Sequence, residues 1–313
     1  MKIGLLLPTR EAILAGDFAV TPMLDLAERA EAAGFDSVWA GDSLLARPRF
    51  EPLTLLAAVA ARTRRVVLGT AVLVAPLHNP VLLAQSAATL DRIAQGRLIL
   101  GVGFATRNAR VRHEFDAAGA DFEHRASRMT ELMEICRLLW RGEPVSFEGR
   151  FWNLKDATLL PTPHRPGGPP FWVGGNGPLS LRITGRHGDG YFPNMATPDQ
   201  LASAWRTVRG EAPAGKNLTL AFYATVNVNP DAAQGQGELE QFIARYYDAP
   251  FAAMSQRQAC FAGPADACVE WLAPFLDRGV EHLVLRLASG DQESQFQRVA
   301  AELLPRLREL GAG

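Results

Sequence analysis

The residues of this sequence best equipped for chemistry fall in short polar stretches that each follow an apolar run. "GTAVLVAPLHNP" delivers Ala71, Val72, Pro76, His78 and Asn79 to one edge of the fold, and "VWAGDSLL" ends on Asp42, Ser43 and Leu44. An imidazole that titrates near neutral pH and a carboxylate are acid/base types, whereas a serine hydroxyl exchanges hydrogen bonds but is no base without help. "WVGGNGPLS" runs through Gly174, Gly175, Asn176 and Gly177 straight into a helix start. Unpaired amides and the helix dipole there favour an anion such as phosphate, although glycines in this pattern also make a plain turn. "GVGFATRNARVRHEF" adds Thr106, Arg107, Arg110 and Arg112 as phosphate donors, with a solvated loop face as the alternative.

Other chemistries lack their residues. A divalent-metal site at a barrel mouth needs carboxylates on successive strand ends, and only Asp42 qualifies, with Glu114 farther along its loop, so no metal is expected. The few lysines, among them Lys2, Lys155 and Lys216, fall at strand starts or in a mid-chain excursion, unsuited to Schiff-base work. No nucleophile elbow or Ser-His-Asp order is present. Cys136, Cys260 and Cys268 lack metal-ligand spacing and are too few for a disulfide framework, and Cys136 reads as core filler. An organic cofactor with a phosphate arm is then the economical hypothesis.

Composition sets the outer limits. A net charge of -1 with interspersed arginines and acidic residues provides no basic stripe for nucleic acid. At 313 residues and 48% hydrophobic content the chain can bury a large core, in one large domain or two smaller ones. "AAVAARTRRVVLGTAVLVAP" is broken by Arg62, Arg64 and Arg65, so no membrane span is expected. The N-terminus enters a strand-like run without a signal peptide's cleavage region, and a cytoplasmic protein is the simplest expectation.

The elements that must position these residues alternate in period. "KIGLLLP", "FDSVWAGD", "RRVVLGTAVLV" and "RLILGVG" read as strands, each followed by a helical stretch. The first of these helices follows a loop and starts at Thr21 and Pro22, as N-cap and first-turn residues; the fourth, Phe122 to Trp140, aligns Met129, Leu132, Met133, Cys136 and Leu139 on one face. An excursion over 142–170 contains a hairpin turning at Glu148 and Gly149 and a proline-rich connector. "PFWVGG", "DGYFPN", "LTLAFYATVNV" and "EHLVLRL" complete eight strands, with an insertion over 229–258 that includes a helix from Gly237 to Tyr247, and a further helix around Asp266 to Arg278.

Eight near-continuous apolar strands with intervening helices predict an α/β fold, a (β/α)8 TIM-like barrel in one domain over 1–313, with a doubly wound open sheet as the runner-up. Loops after the strands then line the ligand site, which puts Asp42, Ser43, His78, Asn79, Thr106 to His113, Gly174 to Gly177 and Asn194 on the functional face. His187 and Asp189 fall on the opposite, structural face. Pocket-wall candidates are Phe18, Leu44, Phe50, Phe104, Phe192 and the insertion's Tyr246, Tyr247, Phe251 and Met254. Each is equally an ordinary packing residue. The length, glycines and aromatic cluster of the insertion predict a mobile lid.

An ordered set of segments carries a resemblance that runs over nearly the whole chain: "AERAEAAGFDSVWAGD", "RRVVLGTAVLVAPLHNPVLLAQSAATLDRIAQGRLILGVG", "FEHRASRMTELMEICRLLW" and "FWVGGNGPLSLRITGRHGDGYFP", then "EHLVLRL" and "LLPRLREL". The chain resembles the bacterial luciferase-like flavin or deazaflavin oxidoreductases. That resemblance implies a TIM-like barrel using reduced flavin mononucleotide (FMN) with oxygen, or coenzyme F-420 for hydride transfer. It also implies a non-prolyl cis peptide at Ala71-Val72 that backs the cofactor ring, with His78 and Asn79 at the rim. Where many members carry an acidic residue followed by histidine after strand two, this chain has Asp42 followed by Ser43, which opens the acid/base assignment and leaves His78 to compensate.

The function expected from these readings is a reduced-flavin-dependent oxidoreductase, foremost an FMN-dependent monooxygenase acting on a small organic substrate, with a separate flavin reductase as partner and a homodimer as the assembly. The deazaflavin dehydrogenase or reductase is the first alternative, and a flavin-binding protein without turnover the second.

Overall fold

The computed structural model describes residues 1–310. Its eight barrel strands are β1 (Lys2–Leu6), β2 (Ser37–Ala40), β3 (Val67–Thr70), β4 (Leu98–Gly103), β5 (Phe171–Val173), β6 (Gly190–Tyr191), β7 (Thr219–Val228) and β8 (His282–Leu287). Each pairs in parallel with the next, and β8 returns to β1, so the sheet closes on itself with no open sheet as the outcome. All eight are those expected from the apolar runs. The sheet must be covered by helices outside, because Ile3, Leu5, Val38 and Leu68 point outward and are fully buried.

The strand period of two sends the alternate residues inward. Leu6, Trp39, Ile99, Trp172, Phe192, Ala221 and Val284 fill the barrel, with Ala71, Val72 and Tyr223 packed above them. Trp39 and Trp172 stack at 5.4 Å between ring centroids. Such wide side chains fit only because facing positions are glycine: a Cβ on Gly69 would come within 2.1 Å of the Trp39 ring, and one on Gly190 within 2.5 Å of Trp172. The barrel floor is thereby closed, and open space is left only toward the carboxyl ends of the strands.

Several boundaries differ from the sequence expectation for local reasons. The stretch after β1 forms a helix, Thr9–Ala15, ended by left-handed Gly16, where only a loop was expected. Thr21 is the first residue of its helix rather than the N-cap, which is Val20. The fourth helix begins at Arg125, not Phe122, because the Phe122 ring is taken up edge-on by Phe115. All five residues expected on its inner face are buried, Cys136 among them. The insertion's helix starts at Ala232, because Asp231 caps the amides of Ala233 and Gln234 and the helix then runs through Gly235 and Gly237. Cys260–Gly263 is an additional strand, added in parallel to the end of β7. The expected hairpin is present as Val145–Glu148 paired with Asn153–Ala157. No helix among the described residues is long and apolar enough to cross a membrane.

On the face opposite the strand ends, Asp189 accepts from the Phe171 amide and pairs with Arg137 at 2.7 Å, a structural role as expected. Among the described residues no group of His, Cys, Asp and Glu could hold a metal ion.

Candidate functional site

Two cavities that share Gly175, Asn194 and Tyr247 open above the aromatic floor, at the carboxyl ends of the strands. The inner one, about 170 Å³, is walled by Leu6, Arg49, Ala71, Val72, Gly174, Phe192, Tyr223 and Tyr246 as well as the shared residues. The outer one is a groove of about 960 Å³ along Thr106, Asn108, Gly177, Gln200, Ser203 and Thr207, with Arg47, Arg107 and Arg257 on its walls. The inner one is the smaller and carries four aromatic side chains, whereas the outer one is larger and carries three arginines.

The wall at Ala71 and Val72 is the end of β3. The Ala71-Val72 peptide is cis, at the position implied by the family resemblance. Beyond it Leu73 and Val74 pair with Val102 and Gly103, so the chain crosses the mouth of the barrel instead of leaving it. Val72 is seated against three glycines: a Cβ on Gly101, Gly103 or Gly174 would meet its methyls at 3.0 to 3.4 Å.

Asp42 secures this crossing from behind. Its carboxylate accepts from the Val74 amide at 2.8 Å. Burial raises its pKa above the ordinary carboxylate value in spite of that amide and of His78, and burial lowers His78 from its ordinary value in spite of Asp42. The two groups feel each other's charge, yet neither contributes to the walls of the inner cavity. Ser43 is also turned away. Its hydroxyl donates to Glu114 Oε1 at 3.0 Å, and the same oxygen accepts from the amides of Leu45 and Ala46. Asp42 and Ser43, two of the three residues expected to be catalytic, therefore brace the chain beyond β3 and the loop after β2.

The glycine stretch after β5 has the form of an anion cradle. Gly175 has φ of +107°, a backbone that favours glycine, and Gly177 begins the helix Pro178–His187 without any side-chain cap. The first amides of that helix have no intrahelical acceptor, and Gly175, Asn176 and Gly177 at its start line the groove. This geometry fits a cofactor phosphate: side chains are absent where backbone must approach.

Other expected ligand residues are occupied elsewhere. Asn79 is the N-cap of the helix Pro80–Ile93 and accepts from Val81 and Leu82, so its oxygen is spent on the helix. Arg107 and Arg112 both pair with Glu123, and Arg110 pairs with Asp248 at 2.6 Å. Thr106 and Arg107 nonetheless line the groove. Of the substrate-wall candidates, Phe192 and Tyr247 line the inner cavity and Met254 the groove, while Phe18 and Leu44 are exposed to 68% and 52%. Phe50 and Phe104 pack against the main core.

The residues that sequence reasoning missed are arginines. Arg286, near the end of β8, is 1% exposed and donates to Thr225 Oγ1, Tyr247 Oη and Gln258 Oε1. Its guanidinium lies within 4.4 to 5.6 Å of the ring centroids of Tyr246, Tyr247, Phe242 and Tyr223. Arg47 rests on the Tyr247 ring at 5.2 Å, and Arg49 reaches the inner cavity from the loop after β2. The signal for Arg286 was a lone charge in the apolar run "HLVLRL", because burying a guanidinium demands partners. Arg47 and Arg49 gave none, since arginine in a loop is ordinary.

A closed parallel barrel with a glycine-rich helix start at its carboxyl-terminal face, opening onto two cavities, is the architecture of a TIM-like barrel. The chain belongs to the luciferase-like monooxygenase family, whose model matches residues 1–282. It is 31% identical to an F420-dependent glucose-6-phosphate dehydrogenase of Nakamurella multipartita, over 95% of each chain. A second enzyme of that description, from Amycolatopsis mediterranei, is 29% identical over 95% of this chain and 97% of its own. Among solved structures, the monooxygenase RslO1 from Streptomyces bottropensis superposes with a TM-score of 0.79 at 25% identity, covering 98% of this chain and all of its own.

Proposed function

We propose that this protein is a deazaflavin-dependent oxidoreductase that moves a hydride between coenzyme F420 and a small organic substrate. This reverses the ranking drawn from the sequence, in which FMN and oxygen stood first. The observation that carries it is the groove beyond the glycine cradle. An FMN phosphate would end at Gly175 to Gly177, but the groove that includes these glycines, about 960 Å³ in all, also runs along Arg47, Thr207 and Arg257. Its Arg47 and Arg257 have no carboxylate within ion-pair distance among the described residues. F420 extends beyond its phosphate as a polyanionic tail, which such a groove suits. The names of the curated relatives add support.

When bound, the deazaflavin supplies a two-electron hydride donor or acceptor and needs no oxygen. The chain's own residues do the rest. Ala71 and Val72 back the ring, the cradle holds the phosphate, and Leu6, Phe192 and Tyr246 keep water from the inner cavity. Burial raises the Tyr223 phenol well above its ordinary pKa, so it stays protonated and presents a donor to a substrate oxygen. That places a proton-holding group in the cavity, where neither Ser43 nor His78 stands.

The second reading, an FMN-dependent monooxygenase, has its support in the likeness to RslO1. Anaerobic titration with F420 and with FMN separates the two. F420 should bind at least about tenfold more tightly than FMN. Tighter FMN binding, with substrate oxidation that requires oxygen, would reverse the assignment.

A further inference from the structure

Arg49 carries a buried guanidinium to the inner cavity, where the Tyr246 phenol beside it is an acceptor but a neutral one. Its Nε is buried and makes no hydrogen bond, and among the described residues no carboxylate lies within ion-pair distance of its guanidinium. The side chain nevertheless has a prepared place. A Cβ on Gly41 would fall 2.6 Å from its Nη1, so glycine at the end of β2 makes the room it occupies, and the Tyr246 ring lies 5.4 Å away on another side.

The surroundings are positive. Arg10 and Arg286 lean on the same Tyr246 ring, at 5.2 and 4.4 Å, and Arg47 lies on Tyr247. Glu11 and Asp42 are close enough for their charges to be felt by Arg49, and burial raises the pKa of both carboxyls. Glu11 Oε2 is itself without a partner. Arg286 is spent on Thr225, Tyr247 and Gln258, which leaves Arg49 as the guanidinium with free donors on the inner cavity. A buried donor without an acceptor is costly, and a fork of N–H groups is matched in shape by a carboxylate or phosphate.

From this we infer that Arg49 is a specificity residue for the substrate: it receives an oxyanionic group, carboxylate or phosphate, of a small molecule bound in the inner cavity beside Ala71, Val72 and Tyr223. The inference rests on the reading of that cavity as the ring and substrate site. The anion sits on the β2-loop side of the cavity, whereas the cofactor phosphate takes the cradle after β5. The two anion sites are therefore served by different loops. Neutral substrates of the same size leave the guanidinium unpaired and are discriminated against for that reason.

Calorimetric titration of the protein, with and without F420, against benzoate, phenyl phosphate and neutral benzyl alcohol tests the assignment. Wild type should bind one of the anions at least about tenfold more tightly than benzyl alcohol, and the tighter of the two identifies the oxyanion. Arg49→Met should lose that preference while F420 affinity stays within about twofold. Should R49M fail to fold, Arg49→Lys should keep part of the preference and Arg49→Gln should lose it. The inference is overturned by an anion preference that survives R49M or R49Q, by none in the wild type, or by F420 affinity falling in step, which would give the guanidinium to the cofactor. If F420 does not bind wild type, the proposed function fails, and the cofactor-free titrations still decide what Arg49 binds.

Discussion

Gly177 offers the cleanest residue-scale test of the cradle. Its φ of -79° and ψ of 158° suit any residue, and a Cβ there would meet nothing within 4 Å. A side chain at this position therefore costs the fold little but projects over the amides that would hold a phosphate. Gly177→Val should leave the melting temperature unchanged and weaken cofactor binding about tenfold, roughly 1.4 kcal/mol, in a direct titration. Unaltered affinity would remove the phosphate from this helix end. Gly175 is the less informative choice, because φ of +107° strains any other residue and its Cβ would lie 2.7 Å from Ser180 Oγ.

At the scale of elements, Glu114 ties the helix Ala109–Ala117, where a loop was expected, to the loop after β2. It is 1% exposed, and one of its oxygens accepts from Ser43 Oγ and from the amides of Leu45 and Ala46, in the loop that continues to Arg47 and Arg49. Glu114→Ala strands these donors and should cost about 2 kcal/mol or more, measured by denaturant unfolding. Amide exchange at Leu45 and Ala46 should accelerate in the same variant; unchanged exchange would mean that the loop is held otherwise. The insertion divides into a fixed and a loose part. Leu239, Phe242, Ile243 and Tyr246 anchor the helix Ala232–Tyr247 in an apolar cluster of its own, whereas the short helix Phe251–Met254 buries no residue. Ligand binding should therefore slow hydrogen exchange over 248–258 and leave 232–247 unaltered. Slowing along the whole insertion would restore the larger lid expected from sequence.

For the molecule as a whole, acid stability is tied to the barrel interior through His282. The Trp39 indole donates to Ser37 Oγ at 2.7 Å, and the Ser37 hydroxyl lies 2.7 Å from His282 Nε2. A neutral imidazole satisfies this bond in either tautomer, Nε2 accepting the Ser37 proton or donating to the hydroxyl oxygen. Burial first, and Lys2 second, push the His282 pKa from 6.5 down to about 4. Between these values the unfolded chain binds the proton and the folded one does not, so stability rises with pH across that window. Stability is complete above about pH 6.5 and should fall by about 3 kcal/mol as pH drops toward 4. Urea unfolding from pH 4 to 7 should show this slope in wild type and a flatter one in His282→Gln; equal slopes would place the proton uptake elsewhere.

The number, order and parallel pairing of the strands were legible in the sequence. Each strand is buried on both faces, and continuous apolar runs such as "RLILGVG" announce that locally. The passage from β5 through glycines into a helix start was legible as well, because it is a contiguous pattern. Which polar side chains enter the cavity was not. Asp42, Ser43 and Asn79 follow the carboxyl ends of their strands, but they are engaged with Val74, Glu114 and a helix start. Arg49 enters because Gly41 leaves room, and Arg286 because Tyr246 and Tyr247, some forty residues earlier, close over it. Periodicity reports which face of an element is buried, a property of neighbours in sequence. Whether a hydroxyl or guanidinium is free or spent depends on partners brought together from distant segments, and only the closed barrel decides that.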